Sequence, residues 1–304
     1  KKGKLIAFPT ETVYGLGADA TNKNAVKNIY LAKGRPSINP LIIHVKSLAQ
    51  AKSLAYVPKI LKPIIDIFWP GPLTLVLERK INSDITGLVS SGLTTIALRN
   101  PNHSIAQKLL IELGRPIAAP SANLSGKITN TRASDVFNGL NGKIDAIIDG
   151  GICPIGIEST IISAKENIVT ILRPGAISYQ EIMHLVGKKN IQKFTTSANI
   201  QAPGQLASHY APETPLRLNA DHPHPEEVFL SYGPLPKNTF GFSLSEKFDL
   251  HEVAMNLFST LHDIDKLAMS TKAKAIAVAK IPTSGIGYAI NDRLARAAHG
   301  NNLK

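Results

Sequence analysis

The sequence predicts an α/β protein in which a large, twisted, mixed open sheet with helices is followed by a smaller α/β domain. Three observations predict it. Short apolar runs mix with segments of helical period, without the strict βαβ alternation of a parallel sheet. The texture changes around Lys193, where a polar stretch rich in Ala, Ser and Pro shows no period. A chain of 304 residues buries roughly 75% of its extended surface, enough for a large and a small domain. The boundaries read as 1–192 for the first domain, 193–218 for a linker and 219–304 for the second domain.

Leu5 to Phe8 is a short apolar run that reads as a buried strand, stopped by Pro9. Thr10, Glu11, Thr12, Tyr14 and Gly15-Leu-Gly17 follow as a loop at the strand end, where open α/β sheets hold ligands. Asn22 to Lys33 carries Ala25, Val26, Ile29 and Tyr30 at helical spacing, with Gly34 as its stop. Further helices are expected over Ser47 to Ala55, Ile60 to Phe68, Ser104 to Leu113 and Ile177 to Val186. Strands are expected over Leu41 to Val45, Leu73 to Leu77, Thr95 to Arg99, Pro116 to Pro120, Ile144 to Asp149, Ser159 to Ser163 and Ile168 to Leu172.

Beyond the linker, Val228 to Tyr232, Phe240 to Ser243 and Ala275 to Ile281 read as strands. Asp249 with Glu252 opens a helix as a capping box, and Ala254, Leu257, Phe258, Leu261 and Ile264 form its apolar stripe. Asn291 to Ala298 is the last helix, completing a small Rossmann-like α/β domain.

Hydrophobic residues make up 43% and charged residues 18%, the balance of an ordinary globular protein. No apolar run reaches the ~18 residues of a membrane span, and no signal peptide is visible, so a cytoplasmic protein is expected. The single Cys153 excludes an internal disulfide, fits a reducing compartment, and reads as packing rather than nucleophile. Formal net charge is +12, which suggests anionic partners. Between Asp19 and Asp66 there is no acid, while Lys23, Lys27, Lys33, Arg35, Lys46, Lys52, Lys59 and Lys62 fall there, a field suited to an anion.

Gly15-Leu-Gly17-Ala-Asp-Ala20 mimics a dinucleotide fingerprint, but Pro9 and polar residues separate it from its strand and no acid stands near position 40 to hold a ribose. A Walker lysine loop, a Gly-x-Ser-x-Gly elbow and zinc spacing are all absent from the sequence, and His222 and His224 read as exposed loop residues. Lys33 and Arg35 stand just past a helix end and reach one triphosphate together, arginine as a fork and lysine as a point charge. Ser121-Ala-Asn123 follows a buried strand with small side chains that let backbone N–H groups approach phosphate, and Ser125-Gly126 and Thr129 extend that loop.

Pro9-Thr-Glu-Thr-Val-Tyr-Gly-Leu-Gly17, Lys33-Gly-Arg-Pro36, Asn39-Pro-Leu-Ile-Ile-His44, Trp69-Pro-Gly-Pro-Leu-Thr74 and Ser121-Ala-Asn-Leu-Ser-Gly126 occur in this order. With Ile157-Glu-Ser-Thr160, Arg173-Pro-Gly175, His209-Tyr-Ala-Pro212 and the run Ala289 to Ala298, the chain closely resembles the YrdC-like family, specifically the two-domain L-threonylcarbamoyladenylate synthases. The departure is at the start, where the family usually has an additional N-terminal helix.

The resemblance implies a fold with a concave basic cavity, and a reaction joining L-threonine, bicarbonate (or CO2) and ATP into threonylcarbamoyl-AMP with release of pyrophosphate. A separate enzyme complex would then transfer the threonylcarbamoyl group to a tRNA adenosine. By matching position, Thr12, His44, Arg99, Ala119 and Ser159 would line the threonine pocket. Arg35, Asn39, Thr95, Ser121, Asn123, Thr129, Arg173, His209 and Tyr210 would contact ATP, with Lys33 beside the phosphates and Mg²⁺ carried on them. No protein nucleophile is needed; Lys33 and Arg35 would stabilise charge on the leaving pyrophosphate. Glu11 reads as a cap of the first turn, with a role toward Mg²⁺ or a base-side group as the alternative. The linker, through His209 and Tyr210, reads as a lid that excludes water. The competing reading is a basic module that binds double-stranded RNA or tRNA without chemistry.

Overall fold

The computed structural model of the chain describes residues 2–193 and 209–299. One 10-stranded mixed sheet contains β1 (Ile6–Phe8), β2 (Gly15–Asp19), β3 (Ile42–His44), β4 (Leu73–Glu78), β5 (Thr95–Arg99), β6 (Ile117–Ala118), β7 (Ala146–Ile147), β8 (Thr160–Lys165), β9 (Ile168–Arg173) and β10 (Ile191–Lys193). Its spatial order is β10-β9-β8-β4-β5-β3-β6-β2-β1-β7. Both pairing senses meet on β3, parallel to β5 and antiparallel to β6, as the irregular alternation predicts. The helices of this domain are α1 (Lys23–Lys33), α2 (Leu48–Leu54), α3 (Lys62–Phe68), α4 (Ser104–Leu113), α5 (Ala133–Leu140) and α6 (Tyr179–Val186).

Helix α1 shows how closely local chemistry sets these elements. The Asn22 side chain accepts from the backbone N–H groups of Asn24 and Ala25, and Gly34 ends the helix at φ 60°, a left-handed cap that glycine adopts without strain. Ala25, Val26 and Ile29 form its buried face. Helix α5 is absent from the sequence reading, because Ser134, Asn138 and Gly139 are poor helix formers that tertiary packing overrides.

The first loop is shorter than the sequence suggests. Gly15–Asp19 is strand β2, antiparallel to β1 with Gly17 opposite Ile6. All five residues are buried, so the strand carries no alternation to betray it. A Cβ on Gly17 would lie 2.7 Å from the Phe8 ring and 3.0 Å from Ile117. Glycine is required there for packing between strands, which accounts for the false dinucleotide fingerprint.

The second sheet contains β11 (Leu216–Ala220), β12 (Glu227–Ser231), β13 (Gly241–Ser243) and β14 (Ala275–Ala279) in the order β11-β14-β12-β13, every pairing parallel. Helices α7 (Leu250–Thr271) and α8 (Gly287–His299) belong to it. Strand β11 starts inside the stretch read as linker, and α8 starts at Gly287 rather than Asn291. The expected capping box at α7 is half formed. Asp249 accepts from the His251 N–H, but the Glu252 carboxylate accepts from the Ser245 hydroxyl instead. The reciprocal box stands at α6, between Ser178 and Glu181.

The apolar core of the small domain runs into the large one. It includes Leu257, Phe258 and Leu261 of α7 together with Val13, Ile128, Ile157 and Tyr210. Burial of such side chains contributes about 1.5–3 kcal/mol each, so the docking is a packed interface. Arg132 holds Asp263 of α7 at 2.9 Å, and Asn130 meets His262 at 2.9 Å. Gly156, at φ 80°, lies so close to α7 that a Cβ would stand 2.2 Å from the Ala254 carbonyl oxygen. Cys153 is buried in the large core and burial pushes its thiol up to about 12, in keeping with a packing role. Among the described residues, no helix is long and apolar enough to cross a membrane.

Candidate active site

Strand register gathers the polar ends of the large sheet. His44 of β3 pairs beside Arg99 of β5, Thr74 of β4 stands opposite Arg99 and beside Ile161 of β8, and Ile161 pairs with Arg173 of β9. A single bridge from Gly15 to Ser121 brings the loop after β6 to the same place. These residues enclose a cavity lined by Arg35, His44, Arg99, Ala119, Ser121, Glu158, Ser159, Arg173, His209 and Tyr210, with Thr10 and Tyr14.

Three buried guanidiniums therefore face one small space. Arg35 donates Nε to the Asn39 carbonyl at 3.2 Å and Nη2 to the Pro40 carbonyl at 2.8 Å. Arg173 donates Nη2 to the Ser159 carbonyl at 2.8 Å and to the Ser159 hydroxyl at 3.3 Å. Burial lowers the pKa of both to about 10; the charge of Arg173 further disfavours that of Arg35, and those of Arg293 and Arg99 further disfavour that of Arg173. An anion between them would relieve both costs. Arg99 Nη2 lies 2.8 Å from Glu11 Oε1, but the alignment misses a hydrogen bond.

Glu158 is the only carboxylate among the cavity-lining residues described. It accepts from Arg293 Nε at 2.9 Å and from the Thr129 hydroxyl at 3.1 Å. Burial raises its pKa, but the charges of Arg293 and Arg173 outweigh that and hold it at about 2. His44 and His209 are neutral. Burial pushes each down to about 3, with neighbouring arginines acting in the same direction.

Buried polar atoms without a hydrogen-bond partner are expected to be rare. Among the described residues two face the cavity, His44 Nδ1 and His209 Nδ1, and the side-chain amide of Asn39 lies beside Arg35; the other members near it, Arg99 Nη2 and the Glu11 carboxylate, form an ion pair without hydrogen-bond alignment. Donors and acceptors kept out of water and left unmatched are the mark of a polar ligand site.

The cavity brings together His44, Arg99, Ala119 and Ser159 of the expected threonine set, and Arg35, Ser121, Arg173, His209 and Tyr210 of the expected nucleotide set. The other expected residues stand outside its lining. The Thr12 hydroxyl shares a hydrogen bond with that of Thr10, 2.9 Å away, and Thr10 is the one that lines the space. Thr95 opens β5 opposite Glu78, at the end of the strand away from Arg99. Asn123 accepts from the Ser121 hydroxyl at 2.6 Å, and Thr129 is turned to Glu158. Asn39 is buried beside Arg35, which its carbonyl holds. Lys33 donates to the Ser121 and Asn123 carbonyls, bracing the loop from behind, and burial holds its pKa well below the usual lysine value.

The acid-free stretch is not one continuous field. Lys23, Lys27, Lys46, Lys52, Lys59 and Lys62 are exposed on the surface, and only Lys33 and Arg35 are buried near the cavity. Glu11 is neither a turn cap nor a cavity carboxylate; it pairs with Arg99. Thr10 and Tyr14 line the cavity from the loop where a ligand was expected, though neither was among the expected contacts, and Glu158 is the charged residue that sequence reasoning missed. Glu158 lies within a motif already noted, Ile157-Glu-Ser-Thr160, and its adjacency to Ser159 was the available signal. Of the stretch expected to form a lid, 194–208 lie outside the described residues; His209 and Tyr210 within it face the cavity.

The fold and the cavity define a YrdC-like α/β domain joined to a small parallel-sheet domain. A Sua5/YciO/YrdC family model, described as "Telomere recombination", matches residues 1–175. A second, "Threonylcarbamoyl-AMP synthase, C-terminal domain", matches residues 177–299. The chain is 38% identical to a Bacillus subtilis threonylcarbamoyl-AMP synthase, covering 100% of this chain and 92% of that one. It is 39% identical to the Pyrococcus abyssi threonylcarbamoyl-AMP synthase over 98% of this chain and 91% of the relative. The crystal structure of P. abyssi Sua5 complexed with L-threonine superposes with TM-score 0.88 at 38% identity, covering 98% and 92% of the two chains. The chain belongs to the family of two-domain threonylcarbamoyl-AMP synthases.

Proposed function

We infer that the chain synthesises threonylcarbamoyl-AMP from L-threonine, bicarbonate (or CO2) and ATP, releasing pyrophosphate. The observation that carries this is the convergence of Arg35, Arg99 and Arg173 on one enclosed space with unmatched polar atoms around it. Two of the three substrates are anions, and the third, an amino acid, presents a carboxylate. Arg99, with Nη2 free of a hydrogen bond, is placed to receive that carboxylate. The neutral imidazole of His44 beside it offers a ring nitrogen to the threonine hydroxyl or amine without adding charge.

A neutral amine is needed to attack the carbon of CO2, and the carbamate so formed attacks the α-phosphorus of ATP. Both steps rely on positioning and on compensating negative charge rather than on a protein nucleophile. Arg35 and Arg173, both lining the cavity, supply that compensation. His209 and Tyr210 line the same cavity and would stand over a bound nucleotide. The chain's one His-Tyr dipeptide is this pair.

Mg²⁺ is expected with the triphosphate. Among the described residues no group of three His, Cys, Asp or Glu side chains could hold a metal ion, and both nearby carboxylates are taken by arginines. The ion is therefore read as a passenger of the phosphates, and no step is assigned to it. The product is a labile mixed anhydride, suited to prompt consumption by a separate complex that modifies a tRNA adenosine in the cytoplasm.

The experiment is pyrophosphate release from ATP and bicarbonate, with and without L-threonine, alongside L-serine and L-alanine. Release stimulated by threonine alone is expected. Equal release without an amino acid, or none together with tight, salt-sensitive RNA binding, would replace the synthase by an ATPase or an RNA-binding module.

A further inference from the structure

Resting on the synthase reading, we propose that Arg293 of the small domain is a positioning residue for the active site. Its guanidinium clamps the residue before Ser159 and the residue after Arg173, so the small domain acts on substrate binding through this side chain.

Arg293 lies in α8, is 1% exposed and lines no part of the cavity. Nε donates to Glu158 at 2.9 Å and Nη2 to the Pro174 carbonyl at 2.8 Å, while Nη1 meets Asp292 at 2.8 Å. Glu158 precedes Ser159 in the chain, and Pro174 follows Arg173. Arg173 in turn holds the Ser159 carbonyl and hydroxyl. One planar fork thus fixes both segments whose side chains meet in the cavity, which a lysine's point charge does less well.

The two segments also touch through their backbones. A Cβ on Gly175 would lie 2.3 Å from the Thr160 nitrogen, so neither segment shifts without the other. The same guanidinium stands 5.7 Å from the centroid of the Tyr210 ring, within cation–π range, and Phe258 of α7 packs on that ring at 5.3 Å. Arg293 thus braces Glu158, the segment after Arg173 and the Tyr210 ring without lining the cavity itself.

The test uses the full chain and compares Arg293→Met, Arg293→Lys, Glu158→Gln and the double variant Arg293→Met/Glu158→Gln. The double variant removes both buried charges together, so it remains folded where the single one leaves a carboxylate unpaired. L-Threonine affinity is read by calorimetry and KM for threonine and ATP by pyrophosphate release. We expect Arg293→Met and the double variant to weaken threonine binding and raise both KM values by about tenfold or more, the scale of a displaced binding group. Arg293→Lys should restore only part of the loss. The double variant should be no worse than the worse single one, because the two residues act as a unit.

Wild-type affinity and KM in the folded double variant would overturn the proposal and leave Arg293 a structural pin. Additive losses would overturn the route through Glu158. The calorimetric readout stands apart from turnover, so failure of the synthase reading would appear instead as a wild-type chain without threonine-dependent pyrophosphate release.

Discussion

Arg99 and Glu11 form an ion pair immediately behind the cavity, Nη2 to Oε1 at 2.8 Å, with side chains 4% and 6% exposed. The pair accounts for how a buried guanidinium persists in the cavity wall before substrate arrives. Glu11 balances its charge, and imperfect alignment leaves Nη2 able to donate to a second carboxylate.

Replacing Glu11 by Gln leaves that arginine charged, buried and uncompensated. A loss of about 3–5 kcal/mol in unfolding free energy is expected, read by urea denaturation. Added L-threonine should stabilise the variant more than the wild type, since its carboxylate takes over the missing charge. Equal stability of the two proteins would contradict the pairing.

Arg35→Ala removes charge-assisted hydrogen bonds to phosphate worth roughly 1.5–3 kcal/mol, or about 10- to 100-fold in ATP affinity. L-Threonine binding should change little. Titration calorimetry with ATP reads the first and with threonine the second; an unaltered ATP affinity would remove Arg35 from the phosphate site.

Acid should destabilise the fold through two histidines and one glutamate. His44 and His209 have an ordinary value of 6.5 and are held near 3 by burial. The unfolded chain therefore binds protons that the folded one refuses. Their contribution is fully present above pH 6.5 and is lost as pH falls toward 3. Glu158, held at about 2 against an ordinary 4.5, adds a loss as pH falls from 4.5 through 2. Unfolding midpoints should decline as pH falls below 6.5, and His209→Gln should flatten part of the decline. A protein that gains stability between those limits would count against both buried imidazoles.

Legibility followed how far an element's cause reaches along the chain. Helix α1 was visible because its cap, its apolar face and its terminal glycine lie within Asn22 to Gly34. Strands β4, β5, β8 and β9 were visible as apolar runs between turn signals. Strand β2 was not, since five buried residues that include two glycines carry neither period nor branched side chains. In the site, Arg35, His44, Ser121, Ser159 and Arg173 each stand in a compact motif, and Arg99 ends an apolar strand. Lys33 was placed among the phosphates by its charge, yet its ammonium is spent on the Ser121 and Asn123 carbonyls.

By itself, then, the sequence determined the class of fold, the order of its elements and the basic and hydroxyl side chains offered to a ligand, because periodicity, caps and motifs are local. Only the tertiary structure decided which charges balance which. Glu158 and Arg293 are 135 positions apart and Glu11 and Arg99 belong to different strands' ends, yet each pair is enclosed together. Taking a charge out of water is tolerated with a counter-charge or with hydrogen-bonding carbonyls around it, and those partners are chosen by how the strands register and the domains dock, which no local pattern records.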